Sequence, residues 1–399
     1  MRSIHYYMLG TSSWFIAFGV QGVLFAWLVA MQLQMSPEWV GVAQMVLLLP
    51  GTLLILIGGS YADRFGARRL TMLAQALAAL GPVLLIGMLL LDRLSYSGML
   101  VYAVLMGCAT AFVTPARDGL LNEVASGRVQ RTVVLTGVVQ FGGQLLGFAL
   151  AATTDDIGPV PVLTLQALLL GLGVFMFRAV TSGPTPGPAL PSRLIASLLE
   201  GASTVFSSPS MRVIVLQNVA MGLFFMGSFV VTLPLLVRDV FAGSSQDLAL
   251  VNGVNSLGLL SSILVLLRFG DVQRPGRALI LAHIVGAAAL GSVGTVSEFA
   301  PAVAIMLVWG LCGGIAITMS RTIMQEQAPP DQRARVMSFY GFSFMGSGPL
   351  GALLCGFLVE HFGPGLSLII CTSAMTVIML ALILFTRLWA LHHHQLQLE

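Results

Sequence analysis

An all-α membrane fold is what this sequence predicts, with twelve transmembrane helices arranged as two pseudo-symmetric six-helix bundles. Three observations predict it. The 399 residues are 57% hydrophobic and only 9% charged, where a soluble domain carries about 25% charged residues. Apolar runs recur along the chain, each near the roughly 20 residues that a spanning helix needs. A set of residues also recurs at a fixed offset of 204 positions.

In order, the runs of the first half fall near 9–33, 39–61, 70–91, 97–115, 133–154 and 158–179. Those of the second half fall near 212–237, 248–269, 278–297, 300–320, 337–359 and 364–387. The short alternating strands of a membrane barrel are missing. The longest connection opens at Thr181 with Thr-Ser-Gly-Pro-Thr-Pro-Gly-Pro, a composition that breaks helices. From Leu190 to Phe206 helical spacing returns, as in a helix lying on a membrane surface. The expected organisation is therefore a bundle over 1–180, a linker with an amphipathic helix over 181–210, a second bundle over 211–390 and a tail over 391–399.

Charge sets orientation and excludes several chemistries. All 19 cationic residues are Arg. Seventeen fall on the side of the termini, and only Arg93 and Arg238 fall on the other. By the positive-inside rule both termini are expected in the cytoplasm. Without Lys the chain has neither a phosphate-binding P-loop nor a Schiff-base amine. Cys108, Cys312, Cys355 and Cys371 all lie inside apolar runs and show no metal-ligand spacing. They read as small buried hydrophobes. No nucleophile, base and metal constellation is present, so neither an enzyme nor a bound cofactor is expected, and nothing points to nucleic acid. The first run is too long for a cleavable signal and reads as the first span.

The repeat is specific in its details. Arg117 and Arg131 are 14 residues apart, and so are Arg321 and Arg335. Gly142 and Gly147 return 204 positions later as Gly346 and Gly351, and Cys108 returns as Cys312. Asp63 to Gly66 is echoed loosely by Asp271 to Arg277. A same-direction repeat of six helices is the symmetry expected when two halves move about a central site.

Between the second and third runs stands Gly59-Ser-Tyr-Ala-Asp63-Arg64-Phe-Gly66-Ala-Arg68-Arg69. This segment resembles the signature loop of the major facilitator superfamily, departing from it at Ala67, where the family usually has a basic residue. The physics suits a gate. A glycine at 59 lets two helices approach closely, and a carboxylate at 63 can face the positive end of another helix, worth about 0.3–1 kcal/mol. The resemblance implies that this partner is the eleventh helix, starting near Val336. It also implies that Gly59, Asp63, Arg64, Gly66, Arg68 and Arg69, together with Arg117 and Asp118, form a cytoplasmic gate. The plainer alternative is a cluster that only sets topology and anchors a tight turn.

Further segments narrow the branch. Leu49-Pro50, Pro115-Ala116-Arg117, Gln325 to Met337, Gly348-Pro349-Leu350-Gly351 and Glu360-His361-Phe362-Gly363 are similar to the branch of enterobactin exporters and macrolide efflux proteins. Residues Pro115 to Glu123 are also similar to lysophospholipid transporters. The resemblance implies a secondary transporter in a bacterial inner membrane, exporting drugs or siderophore-like compounds, monomeric, and coupled to protons if it follows the branch. Lysophospholipid movement and solute import are the alternatives. In the fifth run, Gly142-Gly143-Gln144 to Gly147 lacks the proline of the antiporter motif, which weighs against proton antiport.

In such a transporter the first, fourth, seventh and tenth helices surround the cavity, with the second, fifth, eighth and eleventh beside them. Polar candidates there are Gln21, Gln140, Gln144, Gln217, Asn218, Asn252 and Asn255. Apolar candidates are Trp14, Phe18, Phe25, Met221, Phe225 and Trp309. Trp14, Phe18, Gln21 and Phe25 share one helical face by spacing. Amides in membrane helices also serve simply to tie neighbouring helices together. No Asp, Glu or Arg is expected near the middle of any span, and such charges are retained mainly for function, so a neutral or amphiphilic substrate is favoured over a charged one. Asp155 and Asp156 are candidate coupling groups, because adjacent carboxylates repel and can raise one pKa; a solvated helix end is the plainer reading. His283, about two turns into the ninth run, reads as a structural histidine before a proton relay. His392, His393 and His394 read as a solvated tail.

Overall fold

A computed structural model describes residues 2–125, 129–181, 192–269, 272–329 and 332–390. The linker's proline-rich start and the tail, including His392 to His394, lie outside the described residues. Among the described residues the regular structure is all helical. The elements are α1 (Arg2–Trp27), α2 (Pro37–Phe65), α3 (Ala67–Leu90), α4 (Tyr96–Val124), α5 (Val129–Ala151), a short α6 (Thr154–Ile157) and α7 (Pro159–Arg178). After the linker come α8 (Ser192–Ser207), α9 (Pro209–Ala220), α10 (Leu233–Asp239), α11 (Ser245–Phe269), α12 (Pro275–Val293), α13 (Phe299–Gln327) and α14 (Arg333–Phe385).

Helix starts follow local chemistry. Proline opens α2, α7, α9 and α12, where its missing N–H costs nothing and its fixed φ suits the first turn. The Ser95 hydroxyl caps α4 by accepting from the Gly98 N–H at 3.3 Å. Among the described residues eleven stretches are long and apolar enough to cross a membrane, and the last, Arg335–Phe385, is 51 residues long. It breaks at Gly363, where φ is 75°, a left-handed value that favours glycine, and Pro364 starts the next helix. Counted as two, α14 brings the spans to twelve. The same Gly-Pro device stands at Gly158 (φ 83°) and Pro159, between α5 and α7.

The structure corrects three expected boundaries. The first helix begins at Arg2 rather than near residue 9, and turns of wider, π-type geometry extend it over Leu28–Gln32. The fourth helix does not stop at Pro115 but runs to Val124, and α13 runs to Gln327. A proline inside a membrane helix removes one hydrogen bond, and packed neighbours make the loss tolerable. These extensions carry polar residues into helices, and hydropathy alone ends a span where they begin.

By internal contact the chain forms two compact units. One comprises Met1–Ser36, Ala43–Leu194 and Gly243–Leu250; the other comprises Pro37–Val42, Ile195–Ala242 and Val251–Glu399. Within the first, α1 packs on α5 and α7, and α3 packs on α4 and α7. Within the second, α9 and its π-type continuation Met221–Met226 pack on α14, and α12 packs on α13 and α14.

One pair of the repeated glycines, Gly147 and Gly351, makes matching contacts. A Cβ at Gly147 would stand 2.2 Å from the Ile16 carbonyl oxygen, and one at Gly351 would stand 2.5 Å from those of Gly222 and Leu223. Small residues at both seams let helix backbones touch. The amphipathic α8 docks on the start of α14. Glu200 pairs with Arg335 at 2.5 Å, the Thr204 hydroxyl donates to Gln332 Oε1, and Phe206 meets Phe339 edge-on at 6.0 Å. Leu199 remains exposed.

Candidate functional site

The signature loop is a tight turn between α2 and α3. Gly66, with φ 85°, ends one helix and starts the next, so this glycine has a conformational reason. Arg68 reaches back through Nη1 to donate to the Val180 carbonyl at 3.1 Å. Arg69 and Asp118 are exposed. Tyr61 stacks on Phe65 and meets Phe112 of α4 edge-on at 6.0 Å, tying α2 to α4. The side chains of Asp63 and Arg64, and the surroundings of Gly59, lie outside the described residues.

Arg117 departs from expectation. With α4 extended, it lies near the end of a span (Tyr96–Leu121) and is 6% exposed, away from the middle of the span, where no charge is expected. Its guanidinium sits 4.4 Å from the centre of the Phe15 ring, and Phe15 is midway along the span Ser3–Gln32. The Tyr7 hydroxyl donates to the Arg117 backbone carbonyl at 3.3 Å. Nε and Nη1 of Arg117 have no hydrogen-bond partner. A cation–π contact with Phe15 is worth about 0.5–2 kcal/mol and leaves the two buried nitrogens unsatisfied.

The remaining candidates of the first unit are dispersed. Trp14, Gln21 and Phe25 are buried, whereas Phe18 is 36% exposed. Phe25 stacks on Tyr102 of α4 at 5.8 Å, and the Gln21 Oε1 is buried without a partner. Gln140 and Gln144 on α5 are half-buried. Two glutamines not singled out from the sequence form the polar interior. Gln75 Nε2 donates to Ser13 Oγ at 3.1 Å, and Gln166 Nε2 donates to the Ala17 carbonyl and to Tyr102 Oη at 3.1 and 3.3 Å.

The second unit brings its candidates together. Phe225 and Trp309 meet edge-on at 6.0 Å, and Phe225 stacks on the His283 ring at 6.0 Å. With Met221, Gly286 and Cys312 they line a cavity of about 20 Å³, enough for one water. Gln217 and Asn218 have their bonding capacity engaged within the unit. Asn218 Nδ2 donates to the Tyr340 carbonyl and to Ser343 Oγ, each at 2.9 Å. Gln217 lies 2.9 Å from His283 Nε2 and 3.5 Å from Ser320 Oγ, and Tyr340 Oη donates to Ser320 Oγ at 3.1 Å. Asn252 is buried and Asn255 half-buried on α11. The helix beneath Phe225 is locally widened over Met221–Met226 and Ser228–Thr232. Such π-type turns recur at functional sites, and apolar periodicity carries no sign of them.

Asp155 and Asp156 meet the start of α11. Asp155 Oδ2 accepts from the Ser245 N–H at 2.6 Å, and Asp156 Oδ2 accepts from Gln246 Nε2 at 3.0 Å. A carboxylate there satisfies one of the free donors of a helix N-terminus.

Comparison with known proteins agrees with this architecture. A family model described as Major Facilitator Superfamily matches residues 7–352. Over 364 residues the chain is 28% identical to the multidrug efflux pump Tap of Mycolicibacterium fortuitum, covering 86% of each protein. Over 373 residues it is 25% identical to the enterobactin exporter EntS of Shigella boydii serotype 4 (strain Sb227), covering 88% of this chain and 83% of EntS. The fold matches that of the nucleoside transporter NupG with a TM-score of 0.74 at 14% identity, over 96% of this chain and 99% of NupG.

Proposed function

The chain belongs to the Major Facilitator Superfamily, and from that premise we propose that it exports neutral or amphiphilic small molecules from a bacterial cell by alternating access. Similarity to two proteins named as exporters, Tap and EntS, over more than four-fifths of the chain carries the reading. Fold alone would not, since one fold hosts many functions. The side chains of the second unit support it: Met221, Phe225 and Trp309 wall a cavity beside the neutral amide of Gln217, with no charged group among the lining residues. The cavity itself holds a water and not a solute, so these side chains bear on the reading only through their apolar, uncharged chemistry.

In this reading the two six-helix halves rock against each other. The loop Gly59–Arg69 and Arg117 gate the cytoplasmic side, and both termini are cytoplasmic, as the arginine bias favours. Arg117 takes a partner for its two unsatisfied nitrogens at another stage of the cycle. From the first unit Trp14, Phe18, Gln21, Gln140 and Gln144 contribute to substrate binding, and a single chain suffices for transport.

Expression in a bacterium stripped of its own efflux pumps tests the proposal. Cells would be loaded with the neutral dye N-phenylnaphthylamine, a catecholate siderophore or labelled lysophosphatidylethanolamine, and retention followed. Faster loss of dye or siderophore than in empty-vector cells is expected. Unchanged retention across the panel would remove the exporter reading, and movement of the lysolipid alone would replace it with lipid transport.

A further inference from the structure

His283 is buried at the end of a hydrogen-bond chain that joins four helices of the second unit. Its Nδ1 lies 2.9 Å from the Leu279 carbonyl, one turn earlier on α12. A carbonyl only accepts, so Nδ1 carries hydrogen and Nε2 of the neutral ring is left to accept. Gln217 Nε2 on α9 donates to it at 2.9 Å. The other end of that amide, Oε1, accepts from Ser320 Oγ of α13, and Ser320 in turn accepts from Tyr340 Oη of α14. Every donor in the chain points toward the imidazole. The cavity bounded by Phe225, Trp309 and Cys312 adjoins the ring, and a water there has access to it.

We infer that His283 is the proton-binding site that couples transport to a proton gradient, and that Gln217, Ser320 and Tyr340 transmit its state to α14. The inference deepens the exporter reading and rests on it for the meaning of coupling. A proton delivered by cavity water bonds to Nε2 and makes both ring nitrogens donors. Gln217 must then turn its amide over, so that Oε1 accepts from Nε2–H and Nε2 donates to Ser320 Oγ. The Ser320 hydrogen turns to Tyr340 Oη, and the Tyr340 hydrogen is displaced toward another acceptor. One proton enters, one positive charge is gained, and the whole chain reverses.

The reversal ends where movement matters. Tyr340 stands five positions beyond Arg335, which α8 grips through Glu200, and Asn218 holds the Tyr340 carbonyl. Few other charges bear on the site. From α13 the ring faces the Cys312 thiol across the cavity, and Arg321, next to Ser320, is exposed. From α9 and its π-type continuation come only Gln217, Met221 and Phe225, and from α14 Tyr340 through Ser320. Thr372 of α14 packs at Gly291 of α12. Arg277 of α12 is turned to Trp389, 5.3 Å from its ring. No charged side chain joins the chain or lines the cavity among the described residues.

The test is solid-state NMR of the full chain in phosphatidylethanolamine–phosphatidylglycerol vesicles, with ¹⁵N-histidine and ¹³Cζ-tyrosine labels. On acidification from about pH 8 to about pH 3, a range that covers both exposed and buried imidazoles, the His283 nitrogens should change from a neutral to an imidazolium pattern. The Tyr340 Cζ signal should move with the same midpoint. His283→Gln should abolish both changes; Ser320→Ala, which keeps the ring and cuts the chain, should abolish only the second and carries the test if the glutamine variant fails to fold. A ring that stays neutral across the range overturns the inference, as does a Tyr340 response that survives either variant. The readout needs no transported solute. An intact titration beside a negative transport panel therefore removes the exporter reading and leaves the proton site standing.

Discussion

The guanidinium of Arg117 lies over the ring of Phe15, 4.4 Å from its centre, with two of its nitrogens unpaired. A buried charge with two nitrogens unsatisfied adds little to a fold, and a well-packed apolar replacement is often neutral or stabilising. Arg117→Met should therefore insert normally and leave the thermal midpoint unchanged or raised. Transport should fall by about tenfold or more, the scale of losing a charge-assisted hydrogen bond worth ~1.5–3 kcal/mol. Thermal unfolding in detergent and solute efflux, measured on one preparation, check the two halves of this statement. A variant that unfolds early would make Arg117 structural.

The glycine seams predict a matched pair of lesions. At Gly147 and Gly351 any side chain would meet backbone oxygen within 2.5 Å, and backbone cannot swing aside. Gly147→Val and Gly351→Val should each cost about 1–3 kcal/mol by overpacking. Gly142→Ala, where a Cβ meets nothing within 4 Å, should be nearly silent. Denaturation midpoints of the three variants would expose any asymmetry between the seams.

Those seams were legible because glycine recurrence is a one-dimensional signal. So was the break at Gly363-Pro364, and so were the twelve spans. The ends of α4 and α13 were not. A hydropathy window stops where Arg117 or Arg321 appears, while the helix continues because its backbone bonds are indifferent to the side chain. Gln217 and Asn218 were recognisable as polar groups inside a helix. Their partners, His283 and Tyr340, lie 66 and 122 positions away, and no local pattern pairs them. Hydropathy marks a residue as buried, and what a buried amide bonds to depends on how the helices are set side by side.

Asp155 caps α11 through the Ser245 N–H, and capping and proton coupling make opposite demands on it. An asparagine still accepts that hydrogen bond, so a capping role predicts that Asp155→Asn retains both stability and transport. Asp155→Ala should cost about 0.5–2 kcal/mol. If Asp155→Asn folds normally yet loses transport, Asp155 acts through its charge.

Asp63→Asn addresses the gate. It should insert and fold as the parent does while slowing or abolishing transport, since the amide has no charge to set against a helix N-terminus. Efflux rate against surface expression is the comparison, and full transport by this variant would take Asp63 out of the gate.

Spin-label distances test the rocking of the two halves most directly. One pair of labels would sit at Arg69 and Gln325, and a second at Arg93 and Glu298, all exposed positions. On cycling a transported amphiphile and pH, the account predicts that one distance lengthens as the other shortens, so that the two ends open in turn. Both pairs holding a single distance under every condition, or lengthening together, would contradict it.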